Sequence, residues 1–190
     1  NFVSGRSHCD SCGKVIAWYD LIPVASYLVL RGRCRYCHSK IPVRGFFIEI
    51  FGGLSGVFCF YRFGFEYETI LMFVITMILL AITMIDFDTM IIPDGLNIAM
   101  FLVCLVLMFV RQMSLVDSII GMFCISLPMF LLNLVIPDSF GGGDIKLMFA
   151  SGIALGWKYS LLAAFIGVLI AGIYCIYLLL TKKVDKKGHI

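Results

Sequence analysis

The sequence predicts an all-α membrane protein that crosses the bilayer several times. Hydrophobic residues make up 61% of the 190 residues and charged residues only 14%, and the mean hydropathy is +1.01. Soluble domains carry about 25% charged residues. Lipid must therefore be the solvent for most of this chain, and only helices with internally paired backbones or closed barrels are stable there.

Six apolar segments approach the roughly 20 residues with which a helix crosses about 30 Å of hydrocarbon. The fifth is short and rich in Ala, Ser and Gly, which indicates a closely packed interior helix. The segments lie at about residues 46–62, 69–85, 95–110, 116–136, 147–157 and 159–181. We therefore predict a bundle of six transmembrane helices over 46–181, between a polar block at 1–45 and a basic tail at 182–190.

The placement of Lys and Arg predicts the orientation of this bundle. Six spans put both termini on one side of the membrane, and twelve of the 15 basic residues fall on that side. Cytoplasmic loops are enriched in basic residues, so both termini are predicted to be cytoplasmic. The net charge of +3 then reflects topology and contact with anionic lipid, and it gives no reason to expect a nucleic-acid partner.

Four cysteines of the polar block form two pairs, Cys9-x-x-Cys12 and Cys34-x-x-Cys37. Two such turns can direct four thiolates at one ion, the arrangement of a closed structural Zn²⁺ site. A cytoplasmic position disfavours disulfides. We expect zinc to supply much of the folding energy of so small a block, with a metal-free thiol cluster as the alternative.

Two carboxylates stand out because acidic residues close to a bilayer core are costly and usually functional. Asp86 ends the second predicted span, and Asp144 follows three glycines at the start of the fifth. Both are predicted at the cytoplasmic face. A close pair of carboxylates can share one proton and activate water for attack on an amide. The spacing alone also allows a proton-coupled membrane transporter.

The order of these motifs resembles the type IV prepilin peptidase family, over nearly the whole chain. The resemblance is carried by the motifs RSHCDSCG at 6–13, WYDLIP at 18–23, SYL at 26–28, LRGRCRYC at 30–37, Arg44, Glu49, Asp86 with Pro93-Asp94, and GGGDIK at 141–146. The resemblance implies that Asp86 and the aspartate of the GxGD motif, Asp144, are the catalytic pair of a membrane aspartyl endopeptidase. Asp88 is the weaker candidate.

The resemblance also implies the substrates and the location. Family substrates are prepilins or pseudopilins with a short basic leader ending in Gly, followed by a hydrophobic helix. They are cut at the cytoplasmic face of the bacterial inner membrane. Members with the cysteine block usually also methylate the new N-terminus with S-adenosylmethionine, for which the sequence assigns no residues. Full-length members usually carry a further span before this block, so we expect one upstream of Asn1.

Two other classes of function stay open at this point. A proton-coupled transporter would be expected to hold its acidic residues near the bilayer midplane, beside broken helices. A membrane-tethered zinc-ribbon adaptor would leave the GGGDIK segment without a role.

Overall fold

The computed structural model describes residues 7–137 and 139–181, and the predicted tail at 182–190 lies outside them. The described residues contain helices and short turns, with no β-strand beyond two isolated bridges. The chain divides by packing into two compact units, one ending at Phe65 and the other beginning at Glu66. The polar block predicted at 1–45 therefore packs as a unit with the first long helix.

The cysteine block is built from two turns with the same local structure. Each turn closes with one antiparallel bridge, His8 with Val15 in the first and Arg33 with Lys40 in the second. The two bridges are 25 positions apart in the sequence. Both CxxC pairs are therefore presented by equivalent backbone loops.

Helical segments connect this block to the first long apolar helix, α2. They are a 3-10 turn at Trp18–Leu21, α1 at Ala25–Val29 and α2 at Val43–Phe63. The backbone N–H of Val24 donates to Glu49 Oε2 at 2.8 Å, and the Tyr27 and Phe46 rings stack with their centroids 4.6 Å apart. Glu49, the acidic residue of the first predicted span, thus anchors the start of α1 to α2.

The described residues of the second unit form four helical elements. They are α3 at Tyr67–Thr89, α4 at Asp94–Val110, α5 at Leu115–Val135 and α6 at Gly142–Leu180. With α2, three of them (α3, α5 and α6) are long and apolar enough to cross a membrane, and α4 is a shorter apolar helix. The prediction of a multi-pass, all-helical membrane protein is confirmed.

The fifth and sixth predicted spans form one 39-residue element, α6, which is broken at Gly156. Gly156 has φ 66° and ψ 175°, a conformation that is essentially restricted to glycine. Without a break, 39 residues would extend about 58 Å, nearly twice the hydrocarbon thickness. Six crossings stay a prediction, which requires α4 and the 14 residues before Gly156 to cross as short helices.

Small residues let α5 and α6 pack backbone to backbone. A Cβ on Gly121 would lie 2.3 Å from the carbonyl oxygen of Gly152, and a Cβ on Gly152 would lie 2.3 Å from that of Gly121. The closely packed fifth segment predicted from its small residues is thus present. The buried core around it consists of Ile75, Met100, Cys104, Leu107, Met108, Ala150, Ile153 and Ala154.

An ion pair joins the start of α3 to the end of α4, whereas Asp86 lies in the last turn of α3. The Arg111 Nε donates to Glu68 Oε1 at 2.8 Å, where Arg111 caps the end of α4 and Glu68 lies in the first turn of α3. Both side chains are partly buried. This contact fixes the α3 and α4 hairpin, whose other end carries the acidic residues of the candidate site.

Candidate active site and candidate metal centre

Asp86 and Asp144 line the same cavity, of about 210 Å³, although they are 58 positions apart in the sequence. The rest of its wall is formed by residues 90–92, after α3, and by the three glycines 141–143. The two carboxylates are close enough to interact electrostatically. The structure therefore brings together the two acidic residues that the sequence singled out.

Asp86 lies in the last turn of α3, and the end of that helix shapes the cavity. Met90 has a positive φ of 51° and donates its backbone N–H to the Asp86 carbonyl oxygen at 2.8 Å. A left-handed residue at this position is a common way to end a helix. The chain turns back at Met90, so Ile91 and Ile92 form a wall beside the Asp86 carboxylate.

Asp144 is the third residue of α6, and Gly141 is its N-cap. The Asp144 N–H donates to the Gly141 carbonyl oxygen at 3.1 Å. The Asp144 carboxylate lies back over this N-cap residue, since a Cβ on Gly141 would lie 2.9 Å from Asp144 Oδ2. The carboxylate is therefore held at the start of the helix, where backbone N–H groups favour negative charge.

The glycine before Asp144 is required by its neighbours. A Cβ on Gly143 would lie 2.7 Å from the Ile92 Cβ. This distance is shorter than the distances that Cβ atoms keep from other heavy atoms in proteins. Gly143 also receives a hydrogen bond at its carbonyl oxygen from Asn97 Nδ2, at 3.3 Å. The start of α6 thus packs directly against the segment that joins α3 to α4.

The first turns of α4 hold the first turns of α6 through polar contacts. Besides the bond from Asn97, Lys146 Nζ forms an exposed ion pair with Asp94 Oδ1 at 2.6 Å. These contacts and the role of Ile92 were not predicted from the sequence. Asn97 carried a signal, because it is the one amide in the otherwise apolar segment at 95–110.

The chemistry open to this cavity follows from its two carboxylates. Two carboxylates at short range can share one proton, because ionising both is costly. One member can then accept a proton from water while the other donates one. Asp88, on the same helix as Asp86, is not among the residues that line the cavity.

The four cysteines of the first unit converge as predicted from their spacing. The sulfur atoms of Cys9, Cys12, Cys34 and Cys37 all lie within 4.8 Å of one another, and those of Cys9 and Cys37 are 3.8 Å apart. A tetrahedron with Zn–S bonds of about 2.3 Å has sulfur atoms about 3.8 Å apart. The cluster therefore fits a metal ion of this kind.

Hydrogen bonds prepare two of these thiols for a metal. Backbone N–H groups of Cys12 and Ser11 lower the pKa of Cys9 to about 6. The hydroxyl of Ser39, 3.1 Å from the Cys37 sulfur, lowers the pKa of Cys37, and so does the Ser39 backbone N–H. Because the thiolate is the form that binds metal, these contacts favour metal binding by Cys9 and Cys37, whereas burial and the neighbouring Cys9 and Cys37 thiols raise the pKa of Cys12 to about 11.

A charged contact braces the second CxxC turn. Arg35, between the cysteines of that turn, donates from Nε and Nη2 to the two carboxylate oxygens of Asp20 at 2.8 and 2.6 Å. The Asp20 side chain is only 6% exposed. The Arg35 guanidinium holds the pKa of Asp20 below its usual range. Arg35, which the sequence assigned to the basic cytoplasmic set, thus has a structural partner.

Two family models match this chain. The model described as the bacterial peptidase A24 N-terminal domain covers residues 1–63, and the model described as the type IV leader peptidase family covers residues 73–176. The first matches the segment with the cysteine cluster, and the second matches the segment with both aspartates.

Curated relatives carry the name prepilin leader peptidase/N-methyltransferase. The protein of Vibrio cholerae is 31% identical over 191 residues, which cover 93% of this chain and 75% of that protein. The protein of Myxococcus xanthus is 32% identical, covering 90% of this chain and 51% of that protein. The protein of Pseudomonas putida is 30% identical, covering 91% of this chain and 62% of that protein. The chain thus spans half to three quarters of these relatives. No solved structure matches it.

Proposed function

The chain belongs to the type IV leader peptidase family, and we propose that it is a membrane aspartyl endopeptidase that removes leader peptides from prepilins or pseudopilins. The observation that carries this proposal is the shared cavity of Asp86 and Asp144 at the ends of two helices. The names of the relatives support the same reaction. They give no support to a transporter.

In the proposed reaction, water is the nucleophile. The ionised carboxylate of the pair takes a proton from water as the oxygen attacks the scissile carbonyl carbon, and the protonated carboxylate donates to the carbonyl oxygen. The tetrahedral intermediate then collapses: one of its hydroxyl groups returns its proton to the ionised carboxylate as the C–N bond breaks, and the amine leaves with the proton of the other carboxyl group.

We propose that cleavage takes place at the cytoplasmic face of the bacterial inner membrane. The distribution of basic residues supports this location, because Lys146 accompanies Asp144 and both termini fall on the same side. A substrate with a basic leader and an apolar helix suits such a site. Its leader would stay in the cytoplasm while the apolar segment enters the lipid.

We further propose that the four cysteines hold a structural Zn²⁺ and that the enzyme also methylates the new N-terminus with S-adenosylmethionine. The convergence of the sulfur atoms supports the zinc site. The names of the relatives support methylation. The cavity beside the cysteines is about 180 Å³, below the roughly 300 Å³ at which ligand pockets begin. It does not fit the methyl donor, and we assign no residue to it.

A cleavage assay tests the peptidase. The purified protein would be given a peptide with a basic leader ending in Gly, followed by apolar residues. Asp86→Asn and Asp144→Asn should each lower kcat/KM by roughly 10³-fold or more, because each removes a proton-transfer group. The matched control is Asp88→Asn, two residues from Asp86 on the same helix, which should stay within about threefold of wild type. Normal cleavage by both variants would show that the proposed peptidase is wrong.

A further inference from the structure

A groove larger than the aspartate cavity runs between α4 and α6, with a volume of about 370 Å³. One wall is the face of α4 formed by Asp94, Asn97, Ile98 and Phe101, at helical spacing. The other wall comes from α6 and includes Phe149. From Asp94 to Phe101 the groove extends about 10 Å along the helix.

The groove lies beside the aspartate cavity, with Gly143 and Asn97 between them. Gly143 lines the cavity, and its carbonyl oxygen accepts the hydrogen bond from Asn97, which lines the groove. Lys146, on the groove side of α6, is two residues from Asp144. A chain that places one peptide bond at the carboxylates can therefore continue into the groove.

The polarity of the groove changes along its length. At the end near the aspartates, Lys146 pairs with Asp94. At the far end, the rings of Phe101 and Phe149 lie nearly parallel, at 5° to each other, with centroids 6.1 Å apart. A ligand that fits has polar backbone near the carboxylates and apolar side chains beyond them.

Asn97 adds a second, independent sign that a ligand is missing. Its side chain is 5% exposed and donates from Nδ2 to Gly143, but its buried Oδ1 has no hydrogen-bond partner among the described residues. Buried acceptors without a donor are rare and costly. Asn97 lines the groove, so a rotation of its side-chain amide would bring this acceptor to a backbone N–H of an extended peptide there.

We propose that the groove between α4 and α6 binds the apolar part of the peptide substrate, on the C-terminal side of the bond that is cut. This inference rests on the proposed function, since it assumes a substrate with a basic leader before the bond and apolar residues after it. An extended chain covers about 10 Å in three residues. The groove therefore takes side chains about two to four residues beyond the scissile bond.

Filling the groove at its rim tests this proposal with little risk to folding. Ile98 lines the groove and is 60% exposed, while Leu102, one turn later on α4, is 54% exposed and is not among the lining residues. Ile98→Trp should block the groove. Leu102→Trp is the matched control, since it adds the same bulk at a similarly exposed position.

The reference substrate is an all-Leu peptide, with Leu at the first five positions after the scissile bond. Five further peptides each carry a single Leu→Ser change at one of these positions. Wild type should lose about 10-fold or more in kcat/KM for Ser at one or two positions within the second to fourth. Ile98→Trp should lower cleavage of the all-Leu peptide about 10-fold and reduce the penalty for Ser at those positions to less than about twofold. Leu102→Trp should keep the wild-type profile.

Other results would contradict either the groove proposal or the proposed peptidase. If Ile98→Trp and Leu102→Trp give the same profile, or if Ile98→Trp lowers all peptides equally and leaves the Ser penalties intact, the groove is not a substrate subsite. A fall in thermal stability confined to Ile98→Trp, with an unchanged profile, would identify the groove as a packing surface. Failure of wild type to cleave any peptide would instead contradict the proposed peptidase.

Discussion

Gly143 packs against Ile92 so closely that a Cβ on Gly143 would lie 2.7 Å from the Ile92 Cβ and 3.3 Å from its Cγ1. The contact joins the start of α6 to the segment that follows α3, and each side carries one aspartate of the cavity. The relative position of the two carboxylates therefore depends on the absence of a single methyl group.

The first prediction concerns this contact. Gly143→Ala should lower kcat by roughly 10- to 100-fold with little change in KM, because the added methyl group moves Asp144 away from Asp86. Gly95→Ala, in the first turn of α4, is the control, since a Cβ there would meet nothing within 4 Å. Steady-state cleavage kinetics measure both variants. A Gly143→Ala enzyme with wild-type kcat would show that the cavity tolerates this displacement.

The second prediction concerns the packing of α5 against α6. Gly121→Ala should lower the free energy of unfolding by about 1–3 kcal/mol or more, because its Cβ would clash with backbone atoms of Gly152 and Gly156 that cannot rotate away. Gly167→Ala, in α6, adds a methyl group in open space and should not lower the free energy of unfolding. Thermal unfolding in detergent compares them. Equal melting temperatures would contradict the close approach.

The third prediction concerns the cysteine cluster. The wild-type protein should contain about one zinc ion per chain by elemental analysis, and Cys34→Ser should lose it, because a structural site needs all four ligands. Cys175→Ser is the control, since Cys175 is an exposed cysteine of α6 far along the chain from the cluster. Zinc should also be released as pH falls, because protons compete for the thiolates. Retention of zinc by Cys34→Ser would exclude the tetracysteine site.

The fourth prediction uses the two equivalent turns of the cysteine block. Gly13 and His38 occupy matching positions with φ of 66° and 55°, and each donates its N–H to the carbonyl of the first cysteine of its turn. His38→Gly should stabilise the block by about 1 kcal/mol, since glycine adopts this conformation without strain, and Gly13→Ala should destabilise it by a similar amount.

Zinc release by a competing chelator measures both changes. His38→Gly should require more chelator than wild type and Gly13→Ala less. The proposal thus requires the two variants to change the chelator concentration in opposite directions. A change in the same direction for both would show that the backbone conformation is not the cause.

Features that depend only on residues close together in the sequence were predicted correctly. The all-α class and the approximate ends of the apolar helices follow from composition, because lipid requires every backbone group to be paired within its own segment. The cysteine cluster also follows from spacing, since a CxxC turn fixes its two sulfur atoms within a few residues. The family assignment from motif order is confirmed by the family models.

The chemical groups of the site follow from the sequence: two aspartates at helix ends, four cysteines in two turns, and small residues along the short segment before Gly156. The fold was needed to show that Asp86 and Asp144 share a cavity, that Asn97 bonds to Gly143, and that the fifth and sixth predicted spans follow each other directly across a sharp break at Gly156. The difference lies in the sequence distance over which each effect acts. Composition and spacing act over a few residues, whereas contacts between α3, α4 and α6 depend on how side chains distant in sequence fit together.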